Sequence, residues 1–178
     1  MLKINQATDM TNTKSYSKKA RQKDLNKLLT SEILGEQLFK VAARLSSNPK
    51  QRKKWQVLAA LETQTKDYFL DYLKQSQQHA KADAIAKLQA SASGAALALL
   101  PWNMAMQLLE DGTKQFLQAF KRLQQHSSPE DLAFFTYVVE HELAIQRFAQ
   151  LEQQGNIEHS LQPVLALIDS GIPLTSGF

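Results

Sequence analysis

Apolar residues recur at helical spacing along four long stretches of the chain. One face carries Leu25, Leu28, Leu29, Phe39 and Ala43, and a second carries Trp55, Leu58, Ala59, Phe69 and Leu73. A third aligns Leu99, Met106 and Leu117, and a fourth Phe134, Tyr137, Val138, Ile145 and Phe148. Positions three, four, seven or eleven apart share a helix face, so each set predicts an amphipathic helix. The breaks are equally legible. Ser46-Ser47-Asn48-Pro49 supplies a stop, a capping side chain and a first-turn proline. Ser128-Pro129-Glu130-Asp131 supplies a capping hydroxyl and two carboxylates at the positive end of the next helix, and Gly155 stops it. The pattern predicts helices over 22–46, 49–78, 94–126 (kinked or broken near Pro101), 129–154 and 161–170. Residues 77–93, Ala- and Lys-rich with a weak pattern, read as a long crossover that has room for a short helix. The expected fold is all-α: a four-helix bundle with a long crossover between helices 2 and 3 and a short C-terminal fifth helix.

A few polar residues stand on the apolar stripes. Glu32 lies on the first, Glu62 on the second, Glu110 on the third beside Asn103 and Lys114, and His141 on the fourth with Glu152 further along. Glu36 and Glu142 stand close by as reserve carboxylates. An unpaired buried carboxylate forfeits several kcal/mol of solvation, so glutamates converging on one core need a cation or shared protons. A bound ion satisfies them, and Glu32, Glu62, Glu110 and His141 are the candidate metal ligands. The competing reading is local: Lys66 follows Glu62 by one turn and Lys114 follows Glu110, and such pairs neutralise charge without a metal. A lone histidine on an apolar face is, equally, an ordinary hydrogen-bonded core residue. Tyr68, Tyr72, Tyr137, Met104, Met106 and Trp102 read as packing, and His79, His126 and His159 fall at helix ends and carry no chemistry.

Composition narrows the classes. The chain has 178 residues, enough for one domain with a real core, and no cysteine, which excludes disulfides, thiolate nucleophiles and iron–sulfur ligation. Residues 1–21 read as a flexible basic arm and 22–178 as a single domain. The formal charge is +4, concentrated in residues 14–27 and 50–54, without interleaved aromatics, so a solvated face is expected and nucleic-acid binding is not. No segment reads as a signal peptide or a membrane span, and the expected location is cytoplasmic. A second stripe on the first helix, Leu34, Leu38, Val41 and Leu45, must be covered by the fifth helix or by a second subunit in a homodimer.

Glu32-x-x-Gly35-x-x-x-Phe39 followed by Ala42-Ala43 is similar to the first helix of ferritin-like, rubrerythrin-type proteins, and Ala60-Leu61-Glu62-Thr63-Gln64-Thr65 resembles their second. The resemblance spans residues 22–155 and implies a ferritin-like bundle with carboxylate-bridged iron or manganese. The family pattern takes one glutamate from each of two helices and Glu-x-x-His from each of the other two. Here Thr65 replaces the second-helix histidine. In the fourth helix Val138 precedes His141 by three, and Leu143 follows Glu140 by three, so neither choice restores a full motif. Two functions follow as expectations: a metal-binding oxidoreductase with a degenerate site at Glu32, Glu62, Glu110 and His141, or a metal-free interaction or stress-related protein that kept the helices alone.

Overall fold

A computed structural model describes residues 16–171. Six helices follow one another: α1 Lys18–Leu45, α2 Pro49–Gln75, α3 Ala86–Leu99, α4 Trp102–Gln125, α5 Pro129–Gln153 and α6 Gln162–Ser170. Most of the expected basic arm lies outside the described residues, and α1 is capped at Ser17, whose hydroxyl accepts from the Ala20 amide. Asn48 caps α2 by accepting from the Lys50 and Gln51 amides, and Ser128 caps α5 by accepting from Asp131. Gly155 leaves α5 with a φ of 77°, the left-handed conformation glycine tolerates best.

The expected four-helix bundle with a fifth short helix is corrected on two points. The helix expected over 94–126, kinked or broken near Pro101, is two separate helices, because Leu100 before Pro101 is extended (ψ 152°) and proline disfavours the helical conformation in its predecessor. The supposed crossover is partly helix: α3 starts at Ala86 and packs along α1. It does so through small residues. Ala86, Ala90 and Gly94 are buried, and a Cβ on Gly94 would overlap the Leu38 carbonyl of α1. The second apolar stripe of α1 is therefore covered by α3, with Val41 buried and Leu38 packed under it, while Leu45 remains 46% exposed.

α1 and α2 form one tight hairpin and α4 and α5 another; α4 packs on α1, and α6 bridges α5 and α2. The apolar interior divides into two clusters. One joins Phe39, Trp55, Leu58, Met106, Ile145 and Phe148, and the other Leu25, Leu28, Phe69, Phe120, Leu123 and Phe135. Burial on this scale is the main favourable contribution to folding. Partly buried polar ties cross-link the ends: Arg122 makes a two-pronged contact with the buried Asp24 at 2.9 and 2.7 Å, and Tyr16 donates to the same carboxylate at 2.9 Å. Lys54 and the Trp102 indole N–H both donate to Glu152, joining α2, α4 and α5. No helix among the described residues is long and apolar enough to cross a membrane.

Candidate metal centre

Along α1, α2 and α5 the residues of the two apolar clusters are interrupted at one level. On α1 the break falls between Leu29 and Phe39, on α2 between Leu61 and Phe69, and on α5 between Val139 and Ala144. Glu32, Glu62, Thr65, His141 and Glu142 occupy these gaps, and all are buried. One ligand atom from each of Glu32, Glu62 and His141 lies within 4.8 Å of the others. His141 Nδ1 stands 3.9 Å from Glu32 Oε1, and Nε2 stands 3.7 Å from Glu62 Oε2, so the ring sits between two carboxyl groups without a hydrogen bond to either.

Both ring nitrogens and Glu32 Oε2 are buried with no partner. Ser31 attends the other Glu32 oxygen from 3.4 Å, while giving its shorter bond, 2.8 Å, to the Leu28 carbonyl. Native interiors rarely leave such atoms alone, because each forfeits its hydration for nothing. Burial raises the Glu32 carboxyl to about 8. Burial, reinforced by the neighbouring Glu32 and Glu142 charges, holds Glu62 well above the usual carboxylate range. Glu142 is raised by burial and by Glu32, and burial lowers His141 to about 3. Without a cation the cluster is a group of neutral polar side chains.

Gly35 makes the arrangement sterically possible. It sits one turn after Glu32, and a Cβ there would occupy the space of the Glu62 carboxylate. Thr65, where a second-helix histidine was looked for, is fully buried, and its hydroxyl lies 3.3 Å from the Tyr137 hydroxyl. Burial pushes the Tyr137 phenol up to about 12, keeping it a neutral hydrogen-bonding group.

Of the four residues singled out in the sequence, the structure brings Glu32, Glu62 and His141 together. Glu110 stands elsewhere, at the edge of α4, taking hydrogen bonds from Gln150 at 3.2 Å and Gln153 at 2.9 Å, with Lys114 at 3.7 Å. The buried line of α4 runs through Ala105, Leu109, Thr113, Phe120 and Leu123 and leaves Glu110 at its edge, while Leu99 stands on a separate helix, 80% exposed, and shares no stripe with it. At the level of the cluster α4 presents Thr113, which is buried and lines one cleft with Glu62 and Glu142. Glu142, held in reserve in the sequence reading, joins the group.

The lysines do not neutralise the inner carboxyls by direct contact. Lys66 bonds Glu36 at 2.6 Å, and Lys40 bonds the other oxygen of Glu36 at 2.7 Å. Partial burial works against ionisation of Glu36, but the bonds from Lys40, Lys66 and Thr63 prevail and lower it to about 2. Lys114 pairs most closely with Asp111, at 2.7 Å. Of the basic run 50–54, Lys54 is tied to Glu152 and Arg52 donates to the Ser46 carbonyl, leaving Lys50 and Lys53 on the solvated face.

No protein-family model matches the chain, and neither a characterised protein nor a solved structure does. The chemistry of the site rests on its own residues. Two carboxylates and an imidazole are oxygen and nitrogen donors that suit iron, manganese or zinc. Donors about 2.1 Å from one ion stand roughly 3 to 3.5 Å apart. One ligand atom from each residue lies within 4.8 Å of the others, and because Glu32 and Glu62 face different ring nitrogens, a single ion requires one carboxyl to swing toward the nitrogen that the other already faces.

Proposed function

We propose that this protein binds one transition-metal ion, iron or manganese, through Glu32, Glu62 and His141, with Glu142 as an additional carboxylate, and serves as a metal-dependent oxidoreductase. The single observation that carries the reading is the set of three partnerless buried polar atoms on Glu32 and His141, beside the Glu62 carboxyl. Protonation removes the charges but leaves both imidazole nitrogens unbonded; an ion gives one nitrogen and the carboxylates a partner. When bound, the ion supplies Lewis acidity and electron exchange with a small oxidant.

The chain's own residues do the rest. The three donors come from three different helices, each inside a long helical run, so the ligand geometry is held by packed scaffold rather than by loops. Gly35 keeps the Glu62 carboxylate in place by leaving it room. Thr65 holds the Tyr137 hydroxyl beside the cluster as a proton donor of fixed position. The apolar clusters on either side exclude bulk water, which strengthens every electrostatic interaction within. Kinship with ferritin-like, rubrerythrin-type proteins belongs to the same proposal, on the strength of Glu32, Gly35 and Glu62, as does a cytoplasmic setting.

The test is elemental analysis of protein purified without chelators, with Glu62→Gln and His141→Ala in parallel. Stoichiometric iron or manganese in the wild type, lost in both variants while the folded helix signal persists, supports the site. A wild type that holds no metal and takes up none on loading sinks it, and leaves the metal-free interaction protein.

A further inference from the structure

The space around the cluster is more than a ligand cage. A cleft of ≈ 580 Å³ opens between α1, α3 and α4 and reaches Glu62 and Glu142. That volume falls within the roughly 300–1,000 Å³ of small-molecule pockets. Its walls are Leu34 and Leu38 from α1, Leu97 from α3, and Leu108 and Phe116 from α4. The burial of the lining residues gives the cleft a direction: Leu108, at the outer end, is 54% exposed, whereas Glu62 and Glu142 are buried at 5% and 6%. An apolar passage thus ends on polar groups.

Gly112 adds a second, independent sign. It lines the cleft from the middle of α4, where glycine weakens a helix relative to alanine. Neither close packing nor a positive φ accounts for it, since a Cβ there would meet nothing within 4 Å. What the missing side chain leaves is open cleft.

We propose that this cleft binds a small, uncharged, mainly apolar molecule with one hydrogen-bonding end, the apolar body lying along Leu34, Leu97 and Leu108 and the polar end reaching Glu62 and Glu142. Among the described residues the lining itself includes no lysine, arginine or histidine; the Lys27 ammonium at the rim is held by the Gln115 carbonyl at 2.6 Å and the Phe116 ring, and the inner end offers an anion only the Glu62 and Glu142 carboxyls. That the ligand is not a cation, and that it is the substrate, rests on the metal reading above, in which the carboxylates are committed to the ion.

The experiment is calorimetric titration of the full-length protein, metal-free and metal-loaded, with 1-octanol, octanoate and octylammonium. Two variants plug the cleft: Gly112→Leu from the inside and Leu108→Trp at the exposed mouth, where an added side chain has solvent beside it. Metal content, thermal melting and sedimentation are measured on each. The expected result is saturable 1-octanol binding in both forms, with octanoate weaker by about tenfold or more. Both plugs weaken octanol by about tenfold or more and keep the metal content of the wild type.

No saturable octanol binding, binding indifferent to both plugs, or octylammonium binding tightest to the metal-loaded protein overturns the proposal. So does a dimer in sedimentation that Leu108→Trp dissolves, since a second copy then fills the cleft. Failure of the metal reading is visible separately: a wild type without metal whose octanol binding is lost in both plugs keeps the cleft as a ligand site and removes only its role as a substrate site.

Discussion

Glu152 and Glu32 are the same residue, almost equally buried, in the same interior, and they are treated in opposite ways. Glu152 has both oxygens engaged, one by Lys54 and one by the Trp102 indole at 2.6 Å. Glu32 has one long contact from Ser31 and otherwise faces only the Glu62 carboxyl, with which it can share a proton, beside a histidine whose two nitrogens have no partner. A buried carboxylate with a complete set of partners is a structural tie between helices; one left incomplete next to other donors is a place prepared for something else. The protein uses one residue type for both tasks and distinguishes them by what surrounds it.

The comparison breaks or sharpens on four measurements. The largest effect is expected from Glu152→Ala, which strands the half-buried Lys54 ammonium and the Trp102 N–H. Urea unfolding should show a loss of about 3 kcal/mol or more. At about pH 4.5, where the folded carboxyl is neutral, Glu32→Gln in the metal-free protein should instead change stability by less than about 1 kcal/mol, in either direction. Equal losses in the two variants would erase the distinction.

Next comes the metal itself. At a free concentration about 100-fold above its dissociation constant, iron or manganese should stabilise the wild type by about 2.7 kcal/mol, and His141→Ala by far less. Thermal melts with and without the ion measure this.

The pH profile of the metal-free protein follows in size, and its signs oppose. Glu32 rises on folding from 4.5 to about 8, so its neutral form favours the folded state and stability is lost as pH climbs through that window. His141 falls from 6.5 to about 3, so stability is lost as pH drops through that one. Glu62 and Glu142, also raised, steepen the alkaline side. With three raised carboxyls against one histidine, stability from this cluster should be greatest near pH 4.5 and decline on both sides, with Glu32→Gln flattening the alkaline decline. Metal affinity should rise over the same alkaline range, because its ligands must shed protons. A melting temperature that climbs steadily from pH 5 to about 8 without metal would contradict this account.

The smallest effects separate two helical glycines. Gly35→Ala drives a methyl into the Glu62 carboxylate and should cost about 1–3 kcal/mol together with much of the metal affinity. Gly112→Ala meets no neighbour and should stabilise by up to about 1 kcal/mol through helix propensity alone. A Gly35→Ala variant that is as stable as Gly112→Ala and keeps its metal affinity would mean that the cluster does not depend on the room Gly35 leaves.

Much of this was legible in the sequence where the signal is local. Asn48-Pro49 and Ser128-Pro129 mark caps that the structure uses, and Glu32, Glu62 and His141 announced themselves by standing on apolar faces. What escaped is what depends on packing between helices. α3 buries alanine and glycine against α1, so it carries no stripe of large apolar residues to detect. Glu110 stands at the edge of the stripe because the buried face of α4 is centred on Ala105, Leu109, Thr113 and Phe120, a centre that only the packing of α4 on α5 and α1 sets. Glu142 reads in the sequence only as a reserve carboxylate because α5 is buried around most of its circumference, including Phe134, Phe135, Val138, Val139, His141, Glu142, Ala144 and Ile145. On such a helix periodicity no longer separates inside from outside.

The seam between α1 and α3 has a consequence in time as well as in space. α3 starts without a side-chain cap, holds a glycine at its middle and takes its main packing from the single face it lays on α1. Local opening free energies follow buried apolar contact, so its amides should exchange with deuterium ahead of those in α1, α2 and α5. Because α3 is also one wall of the cleft, its opening would widen the passage to the inner carboxyls.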